Sequence, residues 1–395
     1  MGWVGHMTAM RLAYVCADGG VPIFGCKGAS VHAQEIIRAF RSRGVRLDVF
    51  ATRLGGTPPS DLADVPVHRL PWSAGAPPAT YEQAALTANH GLADALDRQG
   101  PFDLIYERYS LWSYAGIEYA RRNGVPGVLE VNAPLIDEQA RHRVLVDRTA
   151  AEEVAERVFG AAAVLTAVSG EMAAYLEHYP RARGRIHVIP NAVDPQRFAP
   201  PGRRAAPSAS GAFNVGFVGT LKPWHGLALL VEAFARLQAL VPDARLVIVG
   251  DGPERAALAD DVAIRGLLPR TQFIGAVAPA DVPRYLHSLD VAAAPYPDYP
   301  HFYFSPLKLF EYMAAGLPIV ASRIGQVSDV LRDNETGLLV APGDAAGLVA
   351  ALARLAHDPQ LRARLGAAAR AVALRDHTWK TVVGRVLQLA GVAAA

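Results

Sequence analysis

The residues best suited to chemistry lie in the stretch 303–322, YFSPLKLFEYMAAGLPIVAS. It reads as a loop, a helix opened by Ser305 as cap with Pro306 at the first helical position, a turn at Gly316-Leu317-Pro318, and a strand. The amides of Leu307 and Lys308 would point out of the positive end of that helix, which is a place for phosphate. Glu311 follows about one turn later, within reach of a ribose bound beside the phosphate. An anion site with a carboxylate alongside suits a nucleoside diphosphate. An ordinary capped helix of an α/β protein accounts equally well for the cap alone.

A second group sits in GFVGTLKPWHG at 216–226, where a strand ends at Gly219 and a helix begins after Gly226. Thr220, Lys222 and His225 lie on the turn between them. Lys222 would neutralise a diphosphate leaving group, and His225 could donate a hydrogen bond to it. GDGPER at 250–255 has the same placement after the next strand, and Gly250 would leave room there for a base or ribose. Nearer the N-terminus, the loop GGVPIFGCKGAS at 19–30 could bring backbone amides to a phosphate, with Lys27 and a helix start adding positive charge. It lacks the Gly-x-Gly-x-x-Gly spacing of a dinucleotide fingerprint. GVLEVNAPLIDEQ at 127–139 puts Glu130 and Asn132 on one face of a strand, and IYERYSLW offers Glu107 and Arg108. Arg108 and Glu130 fit a structural ion pair and a substrate role equally.

Positioning these groups requires strands and helices in alternation. Strands are expected at 11–17, 45–51, 102–107, 127–132, 163–168 and 186–190, with a helix near 31–43 that carries Ile36, Ile37 and Phe40 on one face. After a Pro-, Ser- and Gly-rich segment a second series follows. It has strands at 213–219, 244–250, 272–277, 291–296 and 336–342 and the strand IVAS of the opening stretch, with a helix at 226–240. Alternation of this kind predicts two mainly parallel, doubly wound sheets. The expected division is an N-terminal domain at 1–195, a linker at 196–212, a C-terminal domain at 213–372 and a terminal helix at 373–395.

Composition narrows the class. The 395 residues are 51% hydrophobic and 19% charged, which describes a globular chain of two or three domains. A net charge of +2, spread along the chain, gives no pull toward nucleic acid. No apolar run approaches a membrane span and the N-terminus lacks a secretory pattern. Cys16 and Cys26 are the two cysteines, so a reducing cytoplasm fits and no zinc cluster is expected. Only four of the 39 basic residues are lysine, and Lys27, Lys222 and Lys308 fall in Gly- or Pro-marked turns. The basic clusters RARGR at 181–185 and RHR at 141–143 could rest on the inner face of a membrane, but stable membrane association is not favoured.

In this order the motifs resemble those of the family-four retaining glycosyltransferases of GT-B fold. These are the glycine loop, VIPNAVDPQRF at 188–198, GFVGTLKPWHG, GDGPER, SPLKLFEYMAAGLPIVAS and ETGLLVAPGD. The resemblance runs from about residue 11 to 345 and beyond. It implies two Rossmann-like domains facing a central cleft, the second holding the sugar nucleotide and the first the acceptor, and a last helix that crosses back to the first domain. Glu311 matches the ribose-binding second glutamate of the family's Glu-x7-Glu motif, and Tyr303 stands where the first would be. Leu307 and Lys308 match the positions whose amides hold the pyrophosphate, and Gly28 matches the loop glycine that closes over it. The family's phosphate-binding Arg and Lys fall on Thr220 and His225, which leaves Lys222 as the substitute cation. The family's first-domain histidine falls on Asn132.

The resemblance therefore implies a glycosyltransferase, with catalytic candidates Lys222, His225 and Glu311. Donor contacts are expected from Gly28, Thr220, Gly250, Tyr303, Ser305, Leu307 and Lys308, and acceptor or sugar contacts from Lys27, Arg108, Glu130 and Asn132. The partners are a UDP- or GDP-linked sugar and a hydroxyl acceptor, whether glycan, lipid-linked or small molecule. No metal and no cofactor beyond that co-substrate is expected. The alternatives are a sugar-nucleotide epimerase of the same fold and a nucleotide-binding module without catalysis, the latter prompted by Tyr303, Thr220 and Asn132. A phosphorylase would need a pyridoxal lysine, and none of the four lysines has such a context.

Overall fold

Strands that read as near-continuous apolar runs, LAYVC at 12–16 and VAAA at 291–294, are buried on both faces, as parallel strands covered by helices must be. The computed structural model describes residues 9–72, 74–199 and 211–392. Among these, β1 (Arg11–Cys16), β2 (Arg46–Ala51), β3 (Val67–Arg69), β4 (Leu104–Arg108), β5 (Gly127–Val131), β6 (Val164–Ala167) and β7 (Ile186–Val188) form one parallel sheet. Its order is β3-β2-β1-β4-β5-β6-β7. A second parallel sheet contains β8 (Asn214–Val218), β9 (Arg245–Val249), β10 (Thr271–Gly275), β11 (Val291–Ala294), β12 (Ile319–Ser322) and β13 (Leu338–Val340), in the order β10-β9-β8-β11-β12-β13. The strand order reverses at β1/β4 and again at β8/β11. Such switch points, at the carboxyl ends of the strands, are where open α/β sheets bind ligands.

The chain divides into two compact units, one running to Pro190 and resuming at Trp379, the other Asn191–Thr378. The second unit therefore starts well before β8. Val193 and Phe198 sit in its core, and Val193 N donates to His377 O at 3.0 Å. Most of the linker expected at 196–212 lies outside the described residues. The C-terminal segment is two helices, Pro359–Asp376 and Trp379–Leu389, and not one. In the first unit the latter lies against α1 (Gly28–Arg41), with Trp379 packed on His32 and Lys380 O accepting from Arg43.

Two differences from the sequence reading bear on the sites. The helix expected from 31 begins at Gly28, three residues earlier, so Lys27 is its N-cap residue and Gly28 its first turn. The helix α2 (Pro78–Gln99) and the short edge strand β3 precede β4, and no apolar alternation marked either of them.

Candidate active site

In the second unit the opening motif folds into the helix Leu307–Ala314 and β12. Ser305 is not its cap. Pro306 holds the N-cap position, and the Ser305 hydroxyl instead accepts from Asn191 N at 2.9 Å while Asn191 Nδ2 donates to Ser305 O at 2.6 Å. The serine was read as a cap from its local sequence; its actual partner lies more than a hundred residues away in VIPNAVDP. The consequence is a helix start pinned from outside, with its first amides left unbonded within the helix.

Tyr312 fixes the other coordinate. Its buried hydroxyl accepts from Val218 N at 2.8 Å and donates to Val218 O at 3.2 Å, which ties the helix to the carboxyl end of β8. One turn earlier, Lys308 is thereby laid over the strand end. Its Nζ stands 4.1 Å from the centre of the Phe217 ring and 5.8 Å from that of Tyr296. A side chain at Gly219 would press against this ammonium, and glycine is what lets it reach the strand end. The ammonium is buried with no hydrogen-bond partner among the described residues, and burial pushes it down to about 7 against the opposing pull of Glu311. A buried ammonium without a hydrogen-bond partner is costly, and the charge of Glu311 offsets only part of that cost.

The 220–226 turn lies beside it. His225 Nδ1 is 2.6 Å from Thr220 O. A carbonyl can only accept, so Nδ1 carries the proton. Burial, with Lys308 and Lys222 as like charges, pushes the ring down to about 3. The neutral ring thus has an unprotonated Nε2, and the expected hydrogen bond from His225 to a leaving diphosphate is not available. His225 instead holds the turn closed and offers an acceptor. Lys222 Nζ stands 5.3 Å from the Trp224 ring, which stacks on Phe304. Tyr303 is buried with its ring 4.4 Å from that of Phe304.

Gly250 serves a different purpose from the one expected. A Cβ there would run into the carbonyl of Gly219, so the glycine is required by the close approach of the neighbouring strand end. Leu221 N then donates to Asp251 O at 3.0 Å. The structure thus brings together Thr220, Lys222, His225, Tyr303, Ser305, Leu307, Lys308 and Glu311 within one unit.

Lys27, Gly28, Arg108, Glu130 and Asn132 belong to the first unit. There Arg108 NH1 lies 3.5 Å from Glu130 Oε2, the ion pair that the sequence left open. The reading missed His32, whose Nε2 stands 2.6 Å from Glu130 Oε1. Burial pushes the Glu130 carboxyl up, but His32, Arg108 and Asn132 outweigh it and hold the group at about 2. Arg108 and Glu130 thus form a buried ion pair at the sheet's carboxyl edge, with His32 the closer partner of Glu130. Lys27 and Gly28 are exposed at the start of α1. Of the residues missed, only Tyr312 carried a usable signal, four positions after Lys308 on the same helix face.

Two parallel sheets in this strand order are the paired Rossmann-like domains of the GT-B fold. Residues 212–358 match the model of glycosyl transferases group 1, and residues 27–197 that of glycosyltransferase family 4. The chain belongs to this family. It is 31% identical to the D-inositol 3-phosphate glycosyltransferase of Acidothermus cellulolyticus, covering 93% of this chain and 85% of that protein. The phosphatidyl-myo-inositol mannosyltransferase of Mycobacterium leprae is 33% identical over 51% of this chain and 52% of its own. Two solved structures share the fold. Sucrose-phosphate synthase from Thermosynechococcus elongatus aligns with a TM-score of 0.76 at 22% identity, covering 96% of this chain and 98% of that one. Anabaena HepE in complex with UDP and glucose aligns with a TM-score of 0.74 at 21% identity and the same coverage.

Proposed function

We propose that the protein moves a sugar from a UDP- or GDP-linked donor to a hydroxyl of its acceptor, with retention and without a metal. The observation that carries this reading is the Lys308 ammonium, buried without a hydrogen-bond partner among the described residues, over the end of β8 and in the first turn of its own helix. A diphosphate seated there would supply the missing negative charge. Lys222 adds a second cation at the turn, and the helix amides add donors. Glu311 is one turn further along, where a ribose would lie. HepE, named with UDP bound, lends support to a uridine donor.

In the proposed reaction the bond between the anomeric carbon and the diphosphate oxygen breaks as the acceptor oxygen attacks from the same face. The acceptor proton passes to the departing phosphate. Negative charge grows on the leaving oxygens, where Lys308 and Lys222 stabilise it without rearrangement. His225, neutral and spent on Thr220, shapes the turn that carries Lys222. Among the described residues no cluster of three or more His, Cys, Asp and Glu could hold a metal ion. No helix among them is long and apolar enough to cross a membrane.

The test is Glu311→Ala, assayed with the sugar nucleotide that best raises the melting temperature. Turnover should fall by at least about a hundredfold while the fold persists. Proton NMR of the product should show the donor's anomeric configuration. An inverted product would overturn the same-face route, and full activity in the variant would remove Glu311 from the site.

A further inference from the structure

The first unit contains a pocket that none of the candidate site residues described above lines. It has a volume of about 940 Å³ including its open mouth, and it lies at the carboxyl ends of β1 and β4, under α2. Its walls are Trp72, Tyr81 and Trp112, with Ala84, Ala85 and Ala88 along α2. The three alanines present small apolar side chains on that face of the helix, so helix and aromatic rings bound an apolar slot. Trp72 is held over the loop after β1. A side chain at Gly19 would collide with its indole, and the Arg53 guanidinium packs 5.3 Å from the ring centre.

The polar groups around the slot are largely spent within the protein. Asn89 Nδ2 donates to Trp112 O at 2.8 Å, and its oxygen accepts from Tyr114 N at 2.9 Å. Ser113 donates to Glu107 at 2.5 Å, Ser110 to Arg108 O at 3.1 Å, and Gln139 to Val144 O at 2.8 Å. Thr52 Oγ1 is buried without a hydrogen-bond partner among the described residues. Of the charged side chains in the lining, Asp18 and Glu138 are acidic and Arg143 is the one cation, itself bonded to Gln139.

We propose that this pocket binds the ring system of an uncharged, hydroxylated aromatic acceptor and disfavours phosphorylated ones. This rests on the transferase reading for what the bound molecule is used for, but not for whether it binds. A flat ring fills a slot between indoles and alanines and loses little by finding few hydrogen bonds. A sugar ring would leave most of its hydroxyls unpaired against side chains already committed elsewhere. A phosphate ester would enter a lining whose charges sum to negative and which offers no cluster of free donors. Thr52 is the group placed to receive one phenolic hydroxyl.

The experiment is calorimetric titration of the full chain with 2-naphthol, maltose and myo-inositol 1-phosphate, with UDP titrated separately. Wild type should bind 2-naphthol and show at least about tenfold weaker affinity for the other two. Trp72→Ala, which removes a wall, and Ala88→Phe, which fills the slot, should each weaken 2-naphthol by at least about tenfold and leave UDP binding unchanged. Two results would overturn the inference: 2-naphthol affinity indifferent to both variants, or inositol phosphate bound more tightly than naphthol and displaced by Ala88→Phe. Absence of UDP binding to the wild type would count against the donor reading alone, because the naphthol titrations decide the pocket without it.

Discussion

Lys308 makes an unusual demand on the fold, and replacing it with methionine isolates that demand. The ammonium is held at about 7, against a normal 10.5. A shift of that size corresponds to roughly 5 kcal/mol between the two protonation states. The sign follows from proton binding. The unfolded lysine keeps its proton up to about pH 10.5, whereas the folded one releases it near 7. The unfolded state therefore binds more protons in that window, so this group's penalty is full below about pH 7 and fades as pH rises toward 10.5. Methionine keeps the length and the contacts with Phe217 and Tyr296 but carries no charge. Allowing for relaxation toward Glu311, Lys308→Met should gain about 2–4 kcal/mol near pH 6. That is about 2–5 °C in melting temperature for a chain of this size. The gain should vanish near pH 10. The same variant loses the charged contact to a diphosphate, and its affinity for UDP or GDP should fall by about 10- to 100-fold. Melting curves at both pH values, with and without nucleotide, read all of this in one experiment. A variant destabilised equally at both pH values would mean that Lys308 is already satisfied within the fold. Unchanged nucleotide affinity would mean that the anion binds elsewhere.

Two further predictions concern groups that hold the sites in place. Tyr312→Phe leaves Val218 N and Val218 O without the hydroxyl that pairs them; urea unfolding should show a loss of about 1–3 kcal/mol, and donor KM should rise more than kcat falls as Lys308 loses its placement. Glu107 is fully buried, and burial pushes its carboxyl up to about 7 despite hydrogen bonds from Ser113 and Ile117. The unfolded carboxylate is ionised above about 4.5 and the folded one keeps its proton to about 7, so stability should fall by about 3 kcal/mol across that window. Glu107→Gln should abolish that slope in denaturant titrations at about pH 5 and pH 8, and an unchanged slope would assign it to other groups.

Both sheets were legible in the sequence because a strand buried on both faces must be apolar throughout, and LAYVC, LVIV and VAAA satisfy that locally. The glycine turns were legible too, although the reason for Gly250 was not. Only the neighbouring strand end, through the Gly219 carbonyl, explains why no side chain is tolerated there. The edge strand β3 and the helix α2 escaped notice because one is three residues long and the other buries few apolar side chains, so neither imposes a period.

The candidate site divides in the same way. Residue types and spacing sufficed to put Lys308 and Glu311 on one helix start and Lys222 on a glycine-marked turn, since these are local features. What each group does there was decided by partners distant in sequence. Asn191 takes Ser305 away from its cap, Tyr312 reaches Val218, and Thr220 takes the one proton of His225. Burial behind Phe217 and Tyr296 leaves Lys308 without a hydrogen-bond partner among the described residues. A sequence states which charges and donors exist and which lie within a turn of each other. Hydrogen-bond commitment and desolvation depend on which segments the chain brings together, and those set the protonation and the availability of every group in the site.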